Sequence, residues 1–111
     1  VSAKIIDPND PDLSSKTKNS DILIVAVGKP EFIKGDMIKP DAIVIDVGTT
    51  KTNNELLGDV EKKSAEQTAG FLTPVPGGVG PMTVAMLLVN ILKAANLQNP
   101  KRILFTDSEY F

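Results

Sequence analysis

The sequence predicts an α/β fold built on an open, mostly parallel sheet with flanking helices, and three observations carry that expectation. Two short runs of branched apolar residues, Ile22 to Val27 and Ala42 to Val47, end at Gly28 and Gly48. Both are too short for typical helices and unbroken rather than alternating, the pattern of strands covered on both faces in a parallel sheet. The stretch from Phe32 to Pro40 between them is long enough for a helical turn and a crossover. Third, Pro76-Gly77-Gly78-Val79-Gly80-Pro81 stands where a short strand hands over to a long apolar segment. In open sheets of this kind ligands bind outside the carboxyl ends of the strands, which here are Gly28, Gly48 and the Pro76 to Pro81 loop.

Each element follows from its own residues. Ser2 to Asp7 leans towards a strand and stops at Pro8-Asn9-Asp10-Pro11, a cluster that fixes φ and favours turns. Asp12 to Asn19 is polar around Leu13 and suits a short helix capped by Asp12. After the second apolar run, Asn53-Asn54 and Gly58 mark an irregular loop, Val60 to Gln67 a helical turn, and Phe71 to Thr73 a third strand. Pro81 to Ala95 reads as a helix with Pro in its first turn, apolar nearly all round and therefore buried in the domain or at a subunit contact. Pro100 prevents its continuation, and Arg102 to Thr106 reads as an edge strand or docked tail.

Composition removes whole classes of function. At 111 residues the chain has room for one compact domain. Its 41% hydrophobic and 23% charged residues are those of an ordinary globular protein. Twelve Lys and Arg against 14 Asp and Glu leave a net charge of -2, which argues against a nucleic-acid surface. Without Cys and His the chain offers no disulfide, no thiolate or imidazole metal site and no Ser-His-Asp triad, and no metal site is expected. Any catalysis must rest on carboxylates, Lys, a cofactor or residues from elsewhere. Gly28-Lys29 is followed by Pro30 and lacks the upstream Gly of a P-loop. No unbroken apolar length suited to a bilayer is read, and the start at Val1 suggests a fragment or a processed product.

The glycine loop is the chief candidate for binding. Its glycines let the backbone turn with positive φ and approach a ligand, and the N-H groups opening the following helix present positive partial charge to a phosphate, carboxamide or carbonyl. Tight structural turns use Gly for the same steric reason, so both readings stand on the residues alone.

Thr73 to Leu87, with Pro76-Gly77-Gly78-Val79-Gly80-Pro81 at its centre, closely resembles the signature of the methylenetetrahydrofolate dehydrogenase/methenyltetrahydrofolate cyclohydrolase family. Asp21 to Pro30, Ile38 to Gly48 and Leu57 to Val60 resemble the same family in the same order. The resemblance implies a Rossmann-like fold and the C-terminal part of an NAD(P)-binding domain, with an N-terminal folate domain, carrying the catalytic Lys, outside this sequence. No catalytic residue is then expected in the chain.

The resemblance further implies NADP or NAD as cofactor and a folate substrate. Pro76, Gly77, Gly78, Val79 and Gly80 would border folate and nicotinamide, with Gly80 also on the cofactor side and Thr83 near the nicotinamide. Val27 and Gly28 would pass the cofactor's ribose and pyrophosphate. Thr49 would offer a main-chain contact, although Thr49-Thr50 departs from the family's usual Ile followed by Asn. Asp46 and Asp59 are read as structural, tying strand ends and loops. Asp7 is open between two readings, a turn residue or an acid that binds ribose hydroxyls and favours NAD over NADP. A homodimer, a cytoplasmic or mitochondrial-matrix location, and no membrane or nucleic-acid partner complete the expectation. The alternative is a non-catalytic nucleotide-binding or dimerisation module derived from the same domain.

Overall fold

A computed structural model describes residues 2–99, which form two compact units divided between Val79 and Gly80. Among its described residues the second unit consists of one helix. Arg102 to Thr106, expected as an edge strand or tail, lies outside the described residues.

The first unit is built on a three-stranded parallel sheet in the order β1-β2-β5, with β1 at Ile22–Val25, β2 at Ile43–Asp46 and β5 at Phe71–Leu72. Ile22 pairs with Ile43, and Ile43 with Phe71, so all three strands end on one edge. The parallel sheet expected from the two apolar runs is present. Leu23, Val25 and Val44 turn to the covered face and pack with Ile33, Ile38, Ala42, Val60 and Ala65. Short helices α1 (Leu13–Lys18) and α2 (Lys62–Ala65) and a 3-10 turn at Gly35–Met37 accompany them. At about 25 cal/mol per Å² this apolar face is the unit's main source of stability.

The opposite face differs from expectation. Ile22 is 53% exposed, Ile24 65% and Phe71 55%, so this unit's own elements cover only one face. A run of uniformly apolar residues cannot report how many of its faces are covered, because alternation, the signal that would do so, is missing from it.

Ser2 to Asp7 forms no strand; no neighbouring strand among the described residues takes up its backbone groups. The expected turn follows, with Asp7 Oδ1 accepting from Asn9 N at 2.7 Å and Asp10 N donating to the Asp7 carbonyl at 3.0 Å. Asp12 sits at the N-cap of α1 as expected, yet its side chain makes no capping bond. Its own N-H donates to Asp10 Oδ1 at 2.8 Å, and Asp10 also pairs with Lys16. Where an irregular loop was expected, β3 (Thr50–Lys51) and β4 (Leu56–Leu57) make a small antiparallel hairpin closed by Thr52 N donating to the Glu55 carbonyl at 2.9 Å.

Helix α3, Val79–Gln98, lies in the second unit from Gly80 onward, and it begins two residues earlier and ends later than expected. Pro81 still falls in the first turn, where an N-H has no intrahelical acceptor. Among the described residues the helix has no buried side chain, so of the two places expected to cover it, the domain and a subunit contact, the first is not seen in these residues. By length and composition alone it is also apolar enough to cross a membrane, a length the sequence reading did not find. Gly80, Thr83, Asn90, Lys93 and Asn96 interrupt its apolar surface.

Candidate functional site

The carboxyl ends of the three parallel strands bring Ala26 to Gly28, Val47 to Thr49 and the loop from Thr73 onto one edge of the first unit. Val47 N donates to the Val25 carbonyl at 2.8 Å, which carries the β1-β2 ladder one step past the strands. Beside it Asp46 N leaves the ladder and donates to Thr73 Oγ1 at 2.8 Å. The third exit is thereby fixed by a side chain at the point where its own strand ends.

Two buried aspartates organise this edge. Asp46, last residue of β2 and on its covered face, accepts from Gly48 N and Asp59 N on Oδ1 and from Val60 N on Oδ2, each at 3.0 Å. Asp59 accepts on Oδ2 from Val27 N at 2.7 Å and Gly28 N at 2.8 Å. Both carboxylates are almost completely shielded from solvent. Hydrogen bonds to the charged form offset the cost of that burial. The strand-end and loop roles expected for Asp46 and Asp59 are the ones these bonds perform.

The clasp is reciprocal. A Cβ on Gly48 would fall 2.1 Å from Asp59 Cγ, and one on Gly58 would fall 1.9 Å from Asp46 Oδ2. Each aspartate therefore lies against the glycine that neighbours the other. Asp59 Oδ1, on the Gly48 side, has no hydrogen-bond partner among the described residues.

The edge also has open backbone. Gly28 has φ 69° and Gly77 φ 102°, conformations that side-chain-bearing residues rarely adopt, and a Cβ on either would meet nothing within 4 Å. Gly78 is different: a Cβ there would come 2.4 Å from the Pro74 carbonyl, so the loop's own close approach requires glycine. Pro76 and Gly77 are exposed, Gly78 and Val79 half-buried, and the Val75-Pro76 peptide is cis. Thr49 is exposed directly after Gly48. These residues thus combine space beside the main chain with fixed strand exits, the features a backbone-bound dinucleotide needs.

Asp7 is exposed in its N-terminal turn, and Gly80 and Thr83 fall in the first turns of α3, in the second unit. The described residues hold no group of His, Cys, Asp and Glu able to bind a metal.

The model of the tetrahydrofolate dehydrogenase/cyclohydrolase NAD(P)-binding domain matches residues 1–99. The chain belongs to that family. The bifunctional protein FolD of Natranaerobius thermophilus is 61% identical over 84 residues, covering 76% of this chain and 30% of FolD. Among solved structures, the 5,10-methylenetetrahydrofolate dehydrogenase of the silkworm Bombyx mori superposes with a TM-score of 0.76 at 50% identity, over 81% of this chain and 31% of that one. The Trypanosoma brucei dehydrogenase-cyclohydrolase, in complex with NADP cofactor and inhibitor, gives 0.70 at 45% identity, over 77% and 32%. The chain thus spans about a third of the length of the relatives it matches.

As a tetrahydrofolate dehydrogenase/cyclohydrolase NAD(P)-binding domain, the chain has the Rossmann-like α/β character that the resemblance implied. The sequence reading did not see the reciprocal packing of Asp46-Val47-Gly48 against Gly58-Asp59. The available signal was an Asp within two residues of a Gly at both places, each time after an apolar stretch.

Proposed function

We propose that this chain is the dinucleotide-holding part of an enzyme that oxidises 5,10-methylenetetrahydrofolate to 5,10-methenyltetrahydrofolate by hydride transfer to NAD(P). In the full protein the product would then be hydrolysed to 10-formyltetrahydrofolate. The observation that carries the reading is the family match over residues 1–99, which takes in the glycine loop and all three strand exits. The open space beside Gly28 and Gly77 suits main-chain binding of such a ligand.

When bound, the nicotinamide supplies the hydride acceptor. The contribution of this chain is geometric. The exits at Val27-Gly28 and Thr49 give the dinucleotide a fixed main-chain wall, and Pro76, Gly77, Gly78, Val79 and Gly80 border both nicotinamide and folate. Thr83 serves the nicotinamide end. Departure of hydride from the methylene bridge is assisted by the folate's own nitrogen lone pair, so orientation supplies much of the rate and no acid or base is required of these residues. Hydrolysis does require proton transfer, which belongs to the Lys of the N-terminal folate domain. The reading includes a homodimer and a cytoplasmic or mitochondrial-matrix location. NAD is favoured over NADP if the Asp7 carboxylate reaches the adenosine ribose.

The test is methylenetetrahydrofolate-dependent reduction of NAD and NADP by the full-length protein. Reduction that requires both substrates is expected, with none from the 111-residue segment. A folded full-length sample that reduces neither nucleotide overturns the reading.

A further inference from the structure

Successive backbone N-H groups in a turn that contains a left-handed residue form a concavity that attracts anions. Val27 and Gly28, with Gly28 at φ 69°, present such a pair at the exit of β1. Both N-H groups are already taken: they converge on Asp59 Oδ2 at 2.7 and 2.8 Å, and that carboxylate is completely buried. The anion at this strand exit is supplied by the protein itself. Asp59 is in turn held from behind, its N-H on Asp46 Oδ1 at 3.0 Å and its carboxyl carbon against Gly48.

We infer that Asp59 is a positioning residue for the dinucleotide: its carboxylate fills the Val27-Gly28 turn, so the β1 exit offers carbonyl and Cα surface to an uncharged part of the ligand and turns its phosphates away. This rests on the dehydrogenase reading and alters one part of it. Val27 and Gly28 lie beside ribose or nicotinamide and not beside the pyrophosphate, whose oxygens need donors this turn does not have to give. Asp59 acts through Val27 and Gly28 and touches neither substrate.

The test uses the full-length protein, with dinucleotide and inorganic phosphate affinities measured by calorimetry and KM measured for both substrates. Asp59→Ala frees two donors and loosens the exit. Its dinucleotide Kd should rise at least tenfold while the folate KM stays within about twofold. Phosphate, which the wild-type exit does not attract, should become a competitive inhibitor against dinucleotide. Amide exchange at Val27 and Gly28 should accelerate while that of Leu23 to Val25 holds. Asp59→Asn keeps one oxygen able to accept both N-H groups and should restore dinucleotide affinity to within about threefold. Should Asp59→Ala not fold, Asp59→Ser, whose hydroxyl reaches at most one N-H, should give the same split at smaller amplitude. Equal losses for dinucleotide and folate, or unchanged dinucleotide affinity in a folded variant, overturn the inference. Wild-type protein that binds neither NAD nor NADP overturns the dehydrogenase reading itself, an outcome separate from any behaviour of the variants.

Discussion

Asp59 N donates to Asp46 Oδ1 at 3.0 Å, and this bond links two residues whose buried carboxylates together hold three loop segments at the carboxyl edge of the sheet. Removing the first member strands the N-H groups of Gly48, Asp59 and Val60, all of which end on Asp46. A buried unsatisfied donor costs about 1–3 kcal/mol, and losses that share one acceptor are not additive. Asp46→Ala is therefore expected to destabilise the protein by about 3–5 kcal/mol. Asp46→Asn should cost about 2 kcal/mol, since one oxygen can still serve Gly48 and Asp59 while the amide opposes Val60 N-H. Urea unfolding of the full-length protein, compared at equal m-values, measures both.

The glycines of the clasp should rank by what their missing side chains would strike. Gly58→Ala places a Cβ 1.9 Å from Asp46 Oδ2, and Gly48→Ala places one 2.1 Å from Asp59 Cγ. Neither neighbour can yield without breaking its hydrogen bonds, so each variant should lose at least the 1–3 kcal/mol or so typical of overpacking. Gly28→Ala meets open space and bears only the strain of φ 69°, roughly 1–2 kcal/mol. Thermal unfolding of the three variants should place Gly28→Ala nearest to wild type.

Legibility in the sequence divides along the range of the forces involved. β1 and β2 were readable because unbroken branched residues such as Ile22 to Val25 and Ile43 to Ile45 have few alternatives to a strand. The hairpin at Thr50 to Leu57 was not, because its strands are two residues long and too short for any alternation to register. Ser2 to Asp7 has strand-like composition, but a strand exists only with a partner, and composition does not supply one. Within the candidate site, Gly28 and the glycine loop stood out through residue type. The Asp59 bonds to Val27 and Gly28 cross more than thirty positions and run from side chain to main chain, so no periodicity carries them.

Exposed carboxylates set the expected acid response. The hydrogen bond from the Lys16 ammonium, followed by that from Asp12 N-H, holds the Asp10 carboxyl below its ordinary value of 3.8. Lys39 does the same to Asp21, through its hydrogen bond first and its charge second. A carboxylate depressed in the folded state contributes stability that is present above its unfolded value and is lost as pH falls through the folded one. Stability should therefore decline below about pH 4, and the decline should flatten in a Lys16→Met, Lys39→Met double variant. Both pairs are solvent-exposed, so raising the salt concentration should shrink the difference between variant and wild type. Unfolding free energies measured across that range at two salt concentrations check the sign and the screening together.

Asp7 offers a substitution that separates its two readings. Its Oδ1 accepts from Asn9 N at 2.7 Å and Asn9 Nδ2 at 3.1 Å, which accounts for the turn at Pro8-Asn9 without any ligand. A serine hydroxyl can take up the same local backbone bond, so Asp7→Ser retains the turn while removing the negative charge. If the acid also binds ribose hydroxyls, its charge repels the additional phosphate of NADP, and the substitution should raise the kcat/KM ratio of NADP to NAD about tenfold or more. Melting temperature should hardly change, because an exposed turn residue has been replaced by another turn former. Steady-state rates with both nucleotides on the full-length protein provide the measurement. An unchanged ratio would assign Asp7 to the turn alone and leave the choice of nucleotide to other residues.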